Sequence, residues 1–174
     1  MRAVVVDTRI LSTTEADVTN TTTNALIPHL VVSGGTKAVE YYKTALGAEV
    51  LHVMPDPAGS GRLMHAHLKV LGSDLMLCDD FPEYCGGVAR APHGPSPVTI
   101  HLCVSNADAA IAQAQAAGAT VTMPADDMFW GDRYGKVTDP FGHEWSFSHP
   151  LTEAQKKAAG EKWAQYMGQG APAA

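Results

Sequence analysis

The residues of this chain best suited to chemistry fall into three groups. Phe129-Trp130-Gly131-Asp132-Arg133-Tyr134 gathers three aromatic rings and an acid–base pair around one glycine. Such rings suit a pocket wall that stacks on a planar ligand, and the Arg133 guanidinium suits a carboxylate or phosphonate. The plain alternatives are an aromatic corner of the core and an ion pair from Arg133 to Asp132 or Asp139. The second group is His65-Ala66-His67, two imidazoles on one strand face because strand side chains alternate. The third is His29 and His101, which occupy matching places in two similar stretches. His67 and His101 are the candidate general bases, since an ordinary imidazole titrates near neutrality. The alternative for the matched pair is a core histidine copied by duplication. His143 and His149 are expected to be exposed, at a turn and at a strand end. His52 and His93 carry no pattern, and nothing near Cys85 would make its thiol reactive.

Positioning these groups takes strands and helices whose order can be read along the chain. Ile27–Ser33 is apolar and β-branched, which predicts a strand ended by Gly34-Gly35. Thr36 is the expected cap of a helix with the apolar stripe Ala38, Val39, Tyr42, Ala45 and Leu46, stopped by Gly47. Strands follow at Ala48–Met54, Arg62–Leu71 and Leu75–Cys78. Asp79–Pro97, rich in proline and glycine, reads as a linker or lid. The pattern then returns, with a strand at Val98–Ser105, a helix at Asp108–Ala117, and strands at Ala119–Met123, Tyr134–Thr138 and Glu144–Ser148. The last two are joined by Asp139-Pro140-Phe141-Gly142, where proline presets φ and glycine supplies a positive φ. Residues 152–169 open with the capping box Thr152-x-x-Gln155, and Ala159, Trp163, Tyr166 and Met167 share one helical face.

The two halves match residue by residue. His29-Leu30-Val31-Val32-Ser33 corresponds to His101-Leu102-Cys103-Val104-Ser105, and Leu46-Gly47-Ala48 to Ala117-Gly118-Ala119. This is an internal duplication with a period of about seventy residues. It divides the chain into a Thr-rich leader (1–25) expected to be flexible, module one (26–80), a loop (81–97), module two (98–149), and a C-terminal helix and tail (150–174).

Composition narrows the function. The chain has 174 residues, 45% of them apolar and 17% charged, with a net charge of −6. That charge, without any basic run, argues against a nucleic-acid partner. No apolar run reaches transmembrane length and Asp7 interrupts Ala3–Val6, so neither a membrane span nor a signal sequence is expected. Cys78 and Cys103 lie in apolar stretches and are expected to be reduced core thiols of a cytoplasmic protein.

Two tandem βαβββ modules with these joints resemble the vicinal oxygen chelate superfamily of glyoxalases, bleomycin-resistance proteins and extradiol dioxygenases. The resemblance runs from Ile27 to His149. It is carried by Ala38-Val39-Glu40-Tyr41-Tyr42-x3-Leu46-Gly47-Ala48, by Met64-His65-Ala66, and by Gly131-Asp132-Arg133-Tyr134-Gly135-x3-Asp139-Pro140-Phe141-Gly142-His143. Within the superfamily the chain looks like the glyoxalase-like branch. The resemblance implies an α+β fold in which eight strands curve into a cup around a small molecule. It also implies a homodimer, since many relatives pair modules across subunits.

The metal-dependent relatives draw ligands from the first and last strands of each module, positions that here become Ile27, Met76, Thr99 and Ser146. These do not make a divalent-metal ligand set. The expected protein is therefore a small-molecule binder without the usual metal site, its pocket lined by His29, His101, Phe129, Trp130, Arg133 and Tyr134. The alternative is a metal-dependent lyase, isomerase or dioxygenase. His29, His101 and Glu144, each two residues from a family position and so on the same strand face, would then hold Zn²⁺, Ni²⁺, Fe²⁺ or Mn²⁺.

Overall fold

The computed structural model describes residues 26–92, 94 and 96–168; the expected leader, His93 and Gln169 lie outside them. In chain order the elements are β1 (His29–Val32), α1 (Gly35–Leu46), β2 (Glu49–Pro55), β3 (Leu63–Val70) and β4 (Ser73–Asp79), then a 3-10 turn (Pro82–Tyr84). There follow β5 (Thr99–Cys103), α2 (Ala107–Ala116), β6 (Thr120–Asp127), β7 (Asp132–Thr138), β8 (Glu144–Pro150) and α3 (Glu153–Gly168).

The eight strands form two four-stranded sheets, ordered β1-β4-β3-β2 and β5-β8-β7-β6. In each, the first strand runs parallel to the last and the others are antiparallel, so the duplication seen in the sequence is a duplication of topology. The arrangement is open, and the fold is α+β with a C-terminal helix, as expected. Among the described residues no helix is long and apolar enough to cross a membrane.

Alternation decides which face of each sheet meets the helices. Leu30, Val32, Ala66, Leu68, Leu75 and Leu77 are buried against α1, and Val137, Trp145 and Phe147 belong to the same core beside α2. α1 and α2 also pack on one another, which joins the two halves. Gly47 stops α1 in the left-handed conformation, at φ 64°. The Asp139–Gly142 turn closes as expected, with Gly142 at φ 88° and its amide donating to the Asp139 carbonyl at 3.1 Å. The Thr152–Gln155 box closes in both directions at the start of α3.

Several local expectations are corrected. Thr36 does not cap α1; the capping position is Gly34, and Asp79 at the end of β4 accepts from the amides of Gly34 (2.7 Å) and Gly35 (2.9 Å). Gly35 must lack a side chain, because a Cβ there would lie 2.6 Å from Asp79 Oδ2. β6 continues past Met123 through Pro124 because it is an edge strand, and its ladder to β7 shifts register there. Cys78 is half-buried and Cys103 exposed, so neither is a core thiol; both sit on the alternate strand positions that face away from the helices.

Candidate functional site

Each sheet has one face covered by a helix and one free of it. On the β5–β8 sheet the helix-free positions are Thr99, His101 and Cys103 on β5, Glu144, Ser146 and Ser148 on β8, and Tyr134, Lys136 and Thr138 on β7. His101 is held on both ring nitrogens, with Nδ1 2.8 Å from Ser146 Oγ and Nε2 3.2 Å from Ser148 Oγ. Its ring stacks on Tyr134 with centroids 5.9 Å apart and planes at 18°. Trp130 meets Tyr134 edge-on at 5.6 Å and Phe129 at 5.0 Å, and Phe129 meets Trp163 of α3 at 5.5 Å. The expected aromatic group is thus assembled with His101 at its head. Phe129 and Trp130 are 61% and 49% exposed, so they are not a buried core corner.

Glu144 is committed elsewhere. It accepts from Lys136 Nζ at 2.8 Å and from the Thr99 hydroxyl, and these bonds, Lys136 first, hold its carboxyl below the ordinary glutamate range. Arg133 points to the helix side, one residue out of phase with Tyr134. Its guanidinium bonds both oxygens of Asp108 in the first turn of α2 (2.5 and 2.7 Å) and Asp127 on β6 (2.8 Å). Its ion-pair partners are therefore Asp108 and Asp127, not Asp132 or Asp139. No sequence spacing signals this, because α2 and β7 meet only in the folded chain.

The β1–β4 sheet carries the other histidines. Register places His29, Met76, His67 and His52 in one row across its helix-free face. His67 Nε2 lies 3.0 Å from Asp74 Oδ1. His29 and His65 meet edge-on, centroids 5.7 Å apart, and His65 and His67 lie 6.5 Å apart. Burial first, then the neighbouring imidazoles, push His65 below the ordinary histidine range.

Between the free edges of β1 and β5 lies a groove of about 920 Å³. Leu30, Ile100, Leu102 and Trp145 give it apolar walls, and His29, His101 and His143 enter it. It brings the matched histidines to one cavity, while Phe129, Trp130 and Tyr134 connect to it only through His101. His143 is buried rather than exposed, with its backbone amide on Asp139 Oδ1 and Nε2 3.1 Å from the Val31 carbonyl. His149 is half-buried and its Nδ1 accepts from the Ala107 amide at 3.0 Å, so it holds the start of α2 as Asp79 holds that of α1. Matching strand registers pair these residues, since Asp79 follows Cys78 opposite Val31 as His149 follows Ser148 opposite Cys103. Period-2 alternation places Ser148 and Lys136 on the same face, but neither residue type signals chemistry alone.

The positions implied for a divalent metal do not fit one. Ile27 and Met76 offer no hard donor, Thr99 donates to Glu144, and Ser146 is bonded to His101. The shifted set is also engaged, through Glu144 on Lys136 and both nitrogens of His101 on serines. Among the described residues no three His, Cys, Asp or Glu side chains are grouped to hold a metal ion.

Comparison with known proteins points one way. The Glyoxalase/Bleomycin resistance protein/Dioxygenase superfamily model matches residues 26–147. The uncharacterized Mycobacterium bovis protein Mb0911c is 47% identical over 131 residues, 74% of this chain and 85% of its own. The X-ray structure of the Arabidopsis thaliana At5g48480 product superposes with a TM-score of 0.57 at 31% identity, covering 71% of this chain and 96% of that one. TioX from Micromonospora sp. ML1 gives a TM-score of 0.57 at 26% identity, covering 72% and 98%.

Proposed function

The chain belongs to the glyoxalase/bleomycin resistance protein/dioxygenase superfamily, and within it we propose that this protein binds a small molecule without the family's usual metal site. The observation that carries the reading is the β1–β5 groove. At about 920 Å³ it falls within the range of ligand pockets, roughly 300–1,000 Å³, and it has their composition of apolar walls with a few polar groups. His101 stands where the groove meets the aromatic run, so a ligand with a planar ring would lie in the groove and reach the edge-on Tyr134–Trp130 pair beside that imidazole.

Fluorescence titration with a panel of planar aromatic drugs and metabolites tests this. A saturable change is expected in the wild type, and His101→Ala should weaken it by about tenfold, the loss of roughly 1.4 kcal/mol. No saturable response across the panel, or equal affinity in the variant, would sink the reading.

A second copy of the chain is the proposed partner. Both sheets leave one face without a helix, and Val50, Leu51, Val53 and Met54 on β2 are exposed, apolar surface that a homodimer would cover. Sedimentation should give a dimer; a monomer throughout the micromolar range would refute it. Three free cysteines suit the reducing cytoplasm, where we place the protein.

The metal-dependent reading has one observation in its favour, that His29 and His101 share a cavity. It requires a divalent ion that is bound by the wild type and lost in His101→Ala.

A further inference from the structure

The helix-free face of the β1–β4 sheet is unusually rich in soft and borderline metal donors. Four of the chain's eight histidines, His29, His52, His65 and His67, share it with Met54, Met76 and Cys78. His29 stands on β1 and His65 on β3, with β4 between them, yet their ring centroids are only 5.7 Å apart. The rings therefore lean toward one another across β4. The β4 side chains on this face are Asp74, which holds His67; Met76, in register with His29; and Cys78, one alternation further along. Two imidazoles bound to one ion have ring centres about 5–6 Å apart, because each metal–nitrogen bond is about 2.0 Å. The spacing of His29 and His65 already matches that of a ligand pair.

We propose that His29, His65 and the Met76 thioether form a binding site for a cuprous ion. Thioether sulfur is a soft donor that suits Cu(I), and imidazole suits copper as well. Zn²⁺ fits the same donors less well, since it takes four ligands in a structural site and three protein ligands in a catalytic one, usually from His, Cys and carboxylate. The described residues offer no group of three such side chains. His67 stays outside the site because its Nε2 is taken by Asp74. The site shares His29 with the β1–β5 groove, but His65 and Met76 do not line it, so the copper site does not depend on the ligand-binding reading.

The test is anaerobic competition for Cu(I) against a chromogenic cuprous chelator such as bicinchoninate, with ascorbate as reductant. Free thiols also bind Cu(I), so the full chain is compared with a Cys78→Ser/Cys85→Ser/Cys103→Ser variant. The cysteine-free variant should still withdraw one equivalent of copper from the chelator, and the full chain at least as much. Adding His65→Gln or Met76→Leu to the cysteine-free variant should weaken retention by about tenfold or more, the scale of losing a metal-supporting group. Circular dichroism establishes that each variant is folded, and the near-isosteric Met76→Leu guards against a folding artefact. Copper lost with the cysteines, or retained equally after both His65→Gln and Met76→Leu, overturns the proposal.

Discussion

Tyr42 of α1 donates its hydroxyl hydrogen to Asp139 Oδ2 across 2.7 Å, and so ties the helix of the first half to the turn of the second. Asp139 is 4% exposed and fully partnered. Oδ2 also accepts from Trp145 Nε1 at 2.9 Å, and Oδ1 accepts from the amides of Phe141 and His143, each at 2.9 Å. A buried carboxylate is tolerable only with such a shell of donors.

Tyr42→Phe removes one donor from a charged acceptor and should lower stability by about 1.5–3 kcal/mol in urea unfolding. The pH dependence follows too. Burial first, then the charge of Asp139, raises the Tyr42 hydroxyl well above its ordinary 10.0. The folded chain thus holds that proton more tightly than the unfolded one. The stability it contributes is complete below pH 10 and lost as pH rises beyond it. The alkaline fall in melting temperature should be shallower in Tyr42→Phe; identical slopes would show that the phenol is not linked to folding.

Glu144 should shape the acid limb. Lys136 and Thr99 hold its carboxyl below the ordinary 4.5, so its contribution is present above that pH and lost as pH falls through the lowered value. In Glu144→Gln the acid loss of melting temperature should be smaller than in the wild type. An unchanged acid limb would mean that the Lys136 pair is too well solvated to matter.

Arg133→Ala should cost stability and leave ligand affinity alone. Its guanidinium joins Asp108 and Asp127 on the helix side, and with Asp108 about half exposed the loss should stay near 1 kcal/mol or below. Weaker ligand binding with unchanged stability would place Arg133 in the site instead.

Gly135→Ala tests the contact between α2 and β7. A Cβ there would meet Ile111 Cδ1 at 2.6 Å and backbone atoms of Met123 and Ala125 at 2.9 Å. The backbone cannot step aside cheaply, so a loss of about 1–3 kcal/mol is expected in chemical denaturation. Wild-type stability would show that the helix and strand are free to separate.

Much of the fold was legible because its signals are local or repeated. The Asp139–Gly142 turn, the Gly47 stop and the Thr152–Gln155 box each depend on residues within one turn of chain. The site was half legible: His101, Tyr134 and Trp130 meet as their types suggested. The company of Arg133 and the burial of His143 were not legible, because Asp108 and Val31 lie far away in the chain. The exposure of Cys103, by contrast, follows from the alternation that also places His101 on the helix-free face.

The sequence by itself determined the duplication, the two βαβββ modules and the family, since a repeated pattern of periods and turn residues admits few folds. The tertiary structure decided what each side chain does. Asp79 and His149 became helix-holding acceptors, Glu144 the partner of Lys136, and His29 and His65 close neighbours across β4. Alternation along a strand assigns a side chain to a face, but partners on that face come from strands and helices brought together only by packing.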